Sequence, residues 1–508
     1  MNEALLVILF FLVLCIWLGL QARKGKNMSL EQWAIGGRGF GSFLLFFLIA
    51  GEMFTTYTFL GASGGAYRSG MPPALYAFNC FYFVIAYWLL PPIWRYAKKN
   101  NVISQSDFYD KKYNSPALGV LVAVISIISI IPYLIMQLKG LGIIVSEASY
   151  GSISPNVAIV VSVIAITIYV TASGMHGVAW TAVIKDIMIL TVVVFMGIYF
   201  PLHYYGGFQP MFEAIDTAKQ GFLIFPEQGL SISWFISATI MTALAFYMFP
   251  HMLAGVFSAK SPKSLRWNAG VMPIYQVIII FSLFIGFSAI LQVPNLQGAE
   301  ADLALFKMAK MSFDPWFVGV IGASGAMAAL IPSSLVLTAT ATILSKNVYK
   351  VWKPNTSDVQ LQRLSRMLVP VISIVTLYFT FNGGDSIFTL YLMAYSFMAQ
   401  LFPALFFSLW KKNPVTVQGA FAGMVVGILI VIYSTTSGTT LATLFPSLPQ
   451  VIQDLDVGLA VLFINIAVTL GVSAVTRKIS IGMEVDNKQA SGMDKTSSMI
   501  VGMSPILI

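Results

Sequence analysis

The chain has 508 residues, of which 57% are hydrophobic and only 10% are charged. Soluble globular domains carry about 25% charged residues, so this composition excludes a soluble protein and indicates a membrane protein built from apolar helices. The formal net charge of +9 follows the membrane topology described below and does not indicate nucleic-acid binding.

Apolar runs predict thirteen transmembrane spans, which we treat as one integral all-α domain over residues 1–480. The polar stretch at residues 481–508 is predicted to be a flexible cytoplasmic tail. The predicted spans cover about 3–21, 41–68, 73–94, 116–147, 154–174, 177–205, 232–258, 267–292, 315–345, 367–382, 386–410, 414–434 and 456–476.

The basic residues predict the orientation of these spans. With the N-terminus outside, 23 of the 29 lysines and arginines fall in inner connections or in the tail, and four fall in outer connections. Because basic residues are retained on the cytoplasmic side, we expect a cell-membrane protein with its C-terminus in the cytoplasm. The first span has no basic residue before it and is followed by Arg-Lys-Gly-Lys, which is typical of an anchor rather than a cleaved signal peptide.

The second span is long enough to cross a bilayer, yet polar and small residues interrupt it. It carries Glu52, several hydroxyls, and glycines at 51, 61, 64 and 65. Unwound backbone carbonyls are tolerated at mid-membrane depth only where they line a site or a cavity. The pattern therefore predicts a broken helix at a binding site and favours ion-coupled transport.

The order of the spans predicts an inverted repeat. Five spans over residues 41–205 precede five spans over residues 232–410, and an odd number per unit reverses the direction in which the second unit enters the membrane. Each unit opens with an interrupted span, the second of which carries Pro250. The alternative is that these residues have no special role, because glycine and proline are common in membrane helices.

The ninth span contains Pro332 followed by Ser333 and Ser334. Proline lacks an amide donor, so the carbonyl of Ala328 is predicted to lose its helical partner. Carbonyls and hydroxyls are hard oxygen ligands that suit a small monovalent cation. The alternative is a packing face, because small hydroxyl residues also hold membrane helices together.

We single out four ionisable residues within the predicted spans, where charges are costly and usually functional. They are Glu52, Lys139, Lys185 and Asp186. Neighbouring helical residues point about 100° apart, so direct pairing of Lys185 with Asp186 is not expected. Either lysine can neutralise a carboxylate on another helix or contact the solute, and the sequence leaves both alternatives open.

Five motifs in chain order resemble the sodium:solute symporters, a branch of the LeuT-type transporters, over about residues 1–480. Three departures from the usual family pattern, at Ala182, Gly255 and Asn347, disfavour the sugar and proline substrates. The WTAVIKD and QLKGLG versions of two motifs look like the monocarboxylate-permease branch of the family. The motifs are AGEMFTTYTFLGASGGAY at 50–67, PYLIMQLKGLG at 132–142, SGMHGVAWTAVIKD at 173–186, FYMFPHMLAGVFSAKS at 246–261 and PSSLVLTATATILSKNVYK at 332–350.

The resemblance implies sodium-coupled uptake of a small organic solute by alternating access, with a monocarboxylate as the first choice of solute. The coupling candidates are Lys185 and Asp186. The implied sodium ligands are the carbonyls of Gly51, Phe54 and Leu330 and the hydroxyls of Ser333 and Ser334. The candidate substrate residues are Glu52, Thr58, Gln137, Lys139, Tyr247 and Phe249; the two aromatic residues have core packing as their alternative.

The expected partners are the solute, the sodium ion and the lipid bilayer, without nucleic acid, cofactor or obligatory protein partner. The chain has no Walker motif, which argues against an ATP-driven pump, and we expect a transporter rather than an enzyme. The alternatives are a proton-coupled symporter of the same fold and a sodium-coupled symporter of amino acids or sugars. A membrane sensor or channel is less favoured, since the tail is too short for a signalling domain.

Overall fold

A computed structural model describes residues 2–25, 29–383 and 385–477, and the predicted tail lies outside these residues. Regular structure in the described part is helical, apart from one parallel bridge between Phe40 and Ala259. The predicted all-α membrane fold is therefore confirmed. The α-helices are α1 (Glu3–Arg23), α2 (Leu30–Ile35), α3 (Ser42–Met53), α4 (Ala62–Ser69), α5 (Met71–Ala77), α6 (Phe81–Lys99), α7 (Gln105–Tyr113), α8 (Pro116–Ala148), α9 (Pro155–Tyr205), α10 (Phe208–Ala218), α11 (Ile232–Ala245), α12 (Pro250–Ser258), α13 (Pro262–Gln276), α14 (Ile278–Gln292), α15 (Ala304–Ser312), α16 (Pro315–Ile343), α17 (Lys350–Trp352), α18 (Asp358–Asn382), α19 (Ile387–Ala399), α20 (Phe402–Ser408), α21 (Val417–Ser437), α22 (Leu441–Leu444), α23 (Gln450–Gln453) and α24 (Val457–Arg477).

The number of membrane spans differs from the predicted thirteen. Within the described residues, nine helical stretches are long and apolar enough to cross a membrane, or up to twelve if each of three bent pairs is one span. The predicted span 154–174 corresponds to a shorter apolar helix, Pro155–Thr171, which forms the first part of α9. The predicted count is therefore not confirmed.

Helix α16 lies at the centre of the bundle and packs against α1, α8 and α9. Both α8 and α9 begin with a serine whose side chain accepts a backbone N–H, followed by proline in the first turn, and this combination favours helix initiation. The two predicted spans at 154–174 and 177–205 correspond to two helical segments of α9, which meet at a kink at Gly174 (φ 58°, ψ −166°). Only glycine adopts this conformation readily.

Two breaks interrupt the helices that open the predicted repeat units. The first break lies between α3 and a π-helical turn at Tyr57–Gly61, and the axis bends by 54° there. The second lies between α11 with its 3₁₀ turn Phe246–Met248 and α12, and the bend is 57°. Phe249 is extended at that point, and Pro250 starts α12. Both predicted breaks are confirmed, whereas the inverted repeat stays a prediction.

Helix α16 differs from the expectation for the ninth span. It runs through Pro332 as continuous helix, and its irregular part is the later π-helical segment Leu344–Tyr349. The hydroxyls of Ser333 and Ser334 donate to the carbonyls of Ala329 and Leu330, one turn earlier in the same helix, at 2.7 and 2.6 Å. The helix is thus stabilised from within and does not unwind beside the serine pair.

Candidate solute and cation site

The first break leaves backbone carbonyls without helical partners, and side chains supply most of the missing donors. Tyr133 Oη donates to the carbonyl of Glu52 at 3.5 Å, and Thr58 Oγ1 donates to that of Met53 at 2.9 Å. The carbonyls of Gly51 and Phe54 both accept from the ammonium of Lys185. Because buried carbonyls are costly when unpaired, these donors stabilise the break.

Lys185 extends from α9 into the break and is completely buried. Its Nζ lies 2.5 Å from Gly51 O, 2.8 Å from Phe54 O and 3.0 Å from Asp186 Oδ1. The expectation that Lys185 and Asp186 do not pair was wrong, because the long, flexible lysine stem lets the ammonium reach its neighbour's carboxylate. A Cβ at position 51 would lie 3.2 Å from Ala182 Cβ, so the small Gly51 allows α9 to approach this closely.

The structure brings together only part of the predicted sodium site. The carbonyls of Gly51 and Phe54 converge, but on a lysine ammonium. The side chains of the buried serine pair donate within α16, Ser333 to the carbonyl of Ala329 and Ser334 to that of Leu330. In the described part of the chain, no hydrogen bond joins the pair to the first broken helix. The sodium ligand set therefore stays a prediction.

A small cavity of about 20 Å³ lies beside the first break and has Glu52 at its wall. Two predicted substrate residues, Glu52 and Thr58, line it. The lining is mostly aromatic and polar, and no lysine or arginine of the described residues contributes to it. Six tyrosines surround the cavity: Tyr57, Tyr76, Tyr82, Tyr133, Tyr391 and Tyr395.

Several polar atoms around this cavity have no hydrogen-bond partner. Among the described residues, neither carboxylate oxygen of Glu52 has a hydrogen-bond partner, and His251 Nε2 lies 3.5 Å from Glu52 Oε2. The hydroxyl of Tyr57 is also unpaired, while its ring stacks on Tyr391 with 4.0 Å between centroids. Because buried polar groups are normally hydrogen-bonded, these atoms are candidates for contact with a polar solute.

The remaining predicted substrate residues lie elsewhere. Gln137 Oε1 accepts from Thr56 Oγ1 at 2.7 Å, behind the break, and its Nε2 is buried without a partner. Lys139 is only half-buried, and its Nζ donates to the carbonyl of Asp385 at 2.9 Å. Tyr247 and Phe249 are buried at the second break and do not line the cavity. Their roles toward a solute stay predictions.

The tyrosines of α19 are site residues that the sequence reasoning missed. Tyr391 and Tyr395 are one turn apart on α19, their ring centroids are 4.3 Å apart, and both line the cavity. The i, i+4 spacing places two tyrosines on one helix face. That spacing was a usable signal, but an aromatic pair in a membrane helix equally indicates core packing.

A buried carboxyl lies beyond the cavity, beside α4. Asp302 Oδ2 accepts the backbone N–H of Ile387 at 3.0 Å. Burial raises the pKa of the Asp302 carboxyl to about 7, although the Ile387 bond and the charges of Arg68 and Lys139 favour its ionised form. This carboxyl joins the segment before α15 to the start of α19.

A second buried carboxyl joins α7 to the end of α16. Burial alone would raise the pKa of Asp107, but the Lys346 ammonium and the bonds from Asn347 and Ile103 outweigh it and lower the pKa. Asn347 Nδ2 donates to Asp107 at 2.7 Å, and Ser104 Oγ donates to Asn347 Oδ1 at 2.6 Å. An aspartate at position 347 would place a second carboxylate against Asp107, which explains why asparagine suits this site.

Comparisons with known proteins find membrane transporters. Residues 33–427 match the model of the sodium:solute symporter family. The uncharacterised symporter YhjB of Bacillus subtilis is 55% identical over 480 residues, which cover 94% of this chain and 98% of the relative. A monocarboxylate transport permease of Rhizobium johnstonii is 27% identical over 447 residues, 85% of this chain and 89% of the relative.

The solved structures show the same architecture. A Na⁺-coupled sialic acid symporter, in its substrate-bound outward-open state, superposes with a TM-score of 0.72 at 15% identity, over 94% of this chain and 98% of the other. This likeness confirms the predicted LeuT-type fold.

Proposed function

Because this chain belongs to the sodium:solute symporter family, we propose that it is a secondary active symporter that binds a small organic solute in the tyrosine-lined cavity. The observation that carries this proposal is the position of the cavity. It lies beside a broken helix, and unpaired polar atoms of Glu52 and Tyr57 lie around it. Broken helices at mid-membrane are where transporters of this kind bind solute.

The size of the cavity supports alternating access. At about 20 Å³, it holds about one water molecule, so an organic solute fits only after the surrounding helices move. The bends of 54° and 57° at the two breaks provide short segments that can absorb such a movement. The structure thus supports a conformation that is closed around the site.

The first candidate solute is a monocarboxylate, which the Rhizobium johnstonii permease and the motifs of the chain support. Within the part of the chain that the structure describes, no lysine or arginine lines the cavity, so we propose that hydroxyl donors bind the carboxylate in place of Lys139. The unpaired hydroxyl of Tyr57 is the first such donor, because buried carboxylates need hydrogen-bond donors when no cation is present.

The second candidate solute carries an ammonium group, as an amino acid does. Glu52 favours it, because both of its carboxylate oxygens lack hydrogen bonds and can accept from an ammonium group. The surrounding tyrosine rings add cation–π attraction. The two candidates depend on different residues, which makes them separable by mutation.

Sodium is the coupling ion that membership of the family supports. The alternative, a proton-coupled symporter of the same fold, is favoured by one observation. The ammonium of Lys185 already contacts the carbonyls of Gly51 and Phe54, two of the expected sodium ligands. Both ions are therefore included in the transport test.

The test is a counterflow assay in proteoliposomes that contain the purified full chain. Short-chain carboxylates, amino acids and sugars are each measured with a sodium, potassium or proton gradient. We expect gradient-dependent counterflow of one class. Absence of counterflow for every class under every gradient would contradict the symporter proposal.

Two variants then identify the solute class. Tyr57→Phe removes the unpaired hydroxyl but keeps the stacked ring, and it should weaken carboxylate transport at least about tenfold, as expected for a lost hydrogen bond to a charged group. Glu52→Gln should instead weaken the transport of an ammonium-bearing solute. Tyr378→Phe, at an exposed position on α18, is the matched control and should have no effect.

A further inference from the structure

The ammonium of Lys185 has the surroundings of a bound cation. Its Nζ donates to Gly51 O and Phe54 O at 2.5 and 2.8 Å, and Asp186 Oδ1 lies 3.0 Å away as its ion-pair partner. The side chain is fully buried. Two hydrogen bonds and one ion pair therefore surround the ammonium, and its burial keeps solvent from competing with them.

The expected sodium ion does not fit beside this ammonium. Two of the expected ligands are the same carbonyl oxygens that Lys185 contacts. The two expected side-chain ligands, the hydroxyls of Ser333 and Ser334, donate to carbonyls within α16. A sodium ion on the two carbonyls would also lie within a few ångströms of a buried positive charge, and such repulsion is strong where water is excluded.

We propose that Lys185 is a resident cation that replaces sodium at the first break. The inference rests on the proposed function, because this break is where a coupling ion of the symporter would act. The ammonium supplies the positive charge that holds the carbonyls of Gly51 and Phe54 together, and Asp186 balances that charge. Sodium is excluded from this position as long as the lysine is present.

Removal of the lysine side chain should create a sodium site. In Lys185→Ala, the carbonyls of Gly51 and Phe54 and the carboxylate of Asp186 lose their cation and become oxygen ligands for Na⁺. We expect the variant to bind sodium at least about a hundredfold more tightly than the wild type, since like charges no longer meet in the site. Lys139→Ala, at a lysine outside the break, is the matched control.

The experiment measures sodium binding to the purified full chain in nanodiscs. Radioactive ²²Na⁺ binding is followed by scintillation proximity, and the melting temperature is compared in NaCl and KCl at equal ionic strength. Saturable sodium binding that is gained or tightened in Lys185→Ala, but not in Lys139→Ala, supports the proposal. Equal sodium affinity in the wild type and Lys185→Ala overturns it.

If Lys185→Ala does not fold, the melting temperature of the wild type in sodium tests the proposal instead. A sodium-specific rise in melting temperature that Ser334→Ala removes would place sodium in the expected site despite Lys185, and would overturn the proposal. No sodium-specific rise, or one that Ser334→Ala leaves unchanged, supports it. Neither measurement needs a solute or transport, so a failure of this inference is distinguishable from a failure of the proposed function, which the counterflow assay tests.

Discussion

The two helix breaks solve the same problem with different chemistry. At the first break, a charged group from α9 satisfies the freed carbonyls, because Lys185 donates to Gly51 and Phe54. At the second break, a neutral amide from α7 does so, because Gln105 Nε2 donates to the carbonyl of Met248. Both partners come from other helices, and both are completely buried.

The difference separates a cation site from a structural joint. Freed carbonyls alone do not determine function, since both breaks have them. The first break adds a counter-charge, Asp186, at 3.0 Å from the ammonium, and a cavity beside it. At the second break, Gln105 accepts in turn from Ser126 Oγ at 2.7 Å, which completes a neutral network. We infer that only the first break is built around positive charge.

The largest effect is expected from a change that removes the charge at the first break. Lys185→Met keeps the apolar stem but leaves Asp186 buried without a counter-charge, and loss of one partner of a buried ion pair costs about 3–5 kcal/mol. Chemical denaturation in micelles measures this loss. The double variant Lys185→Met/Asp186→Asn removes both charges and should recover much of the stability. If the double variant is no more stable than the single one, the charge balance is not what stabilises this break.

A smaller effect is expected at the second break. Gln105→Leu leaves the buried carbonyl of Met248 unpaired, which costs about 1–3 kcal/mol, and it should not change the response to sodium. The same denaturation experiment measures the loss, with Gln209→Leu on α10, in an exposed Gln209–Glu213 pair, as the control. A loss as large as that of Lys185→Met would remove the distinction between the two breaks.

The sequence predicted the positions of both breaks but not the groups that satisfy them. Glycines beside Glu52 and the proline at position 250 are local signals, and local signals suffice to predict an interrupted helix. The partners are far away in sequence, because Lys185 lies 134 positions from Gly51 and Gln105 lies 143 positions from Met248. Such pairs depend on how the helices cross. For the same reason, the converging carbonyls were foreseen and the ammonium between them was not.

The continuations of the two broken helices extend the comparison. Beyond the first break, the buried carboxyl of Asp302 lies against Gly64 of α4. Beyond the second, neutral bonds hold the end of α12: the backbone N–H of Phe40 donates to Ser258 O at 3.1 Å, and Trp94 Nε1 donates to Ala259 O at 2.8 Å. A change of pH should therefore affect the helix beyond the first break, through Asp302, rather than the end of α12.

A pH series tests this expectation at Asp302. Its pKa is raised to about 7 by burial, so between about pH 4 and 7 the folded chain holds a proton that the unfolded chain releases. Stability consequently falls as the pH rises through this window. Asp302→Asn cannot ionise, so it should lose this part of the pH dependence and gain in melting temperature relative to the wild type from pH 5 to 8. If the melting temperatures of the two proteins changed in parallel with pH, Asp302 would not titrate in this range.

The smallest effect is expected from the serine pair of α16. The cation at the first break is Lys185 of α9, so Ser333 and Ser334 should contribute only hydrogen bonds to their own helix. Such bonds are worth about 0.5–1.5 kcal/mol each, and alanine offsets part of that loss because it is the best helix former. The free energy of unfolding of the double alanine variant should therefore be close to that of the wild type. Ser324→Ala is the matched control, since Ser324 lies in α16 with a buried hydroxyl that has no partner. If the double variant instead lost as much stability as Lys185→Met, the serine pair would contribute to the first break. The difference between the first break and the second would then depend on α16 as well as on Lys185.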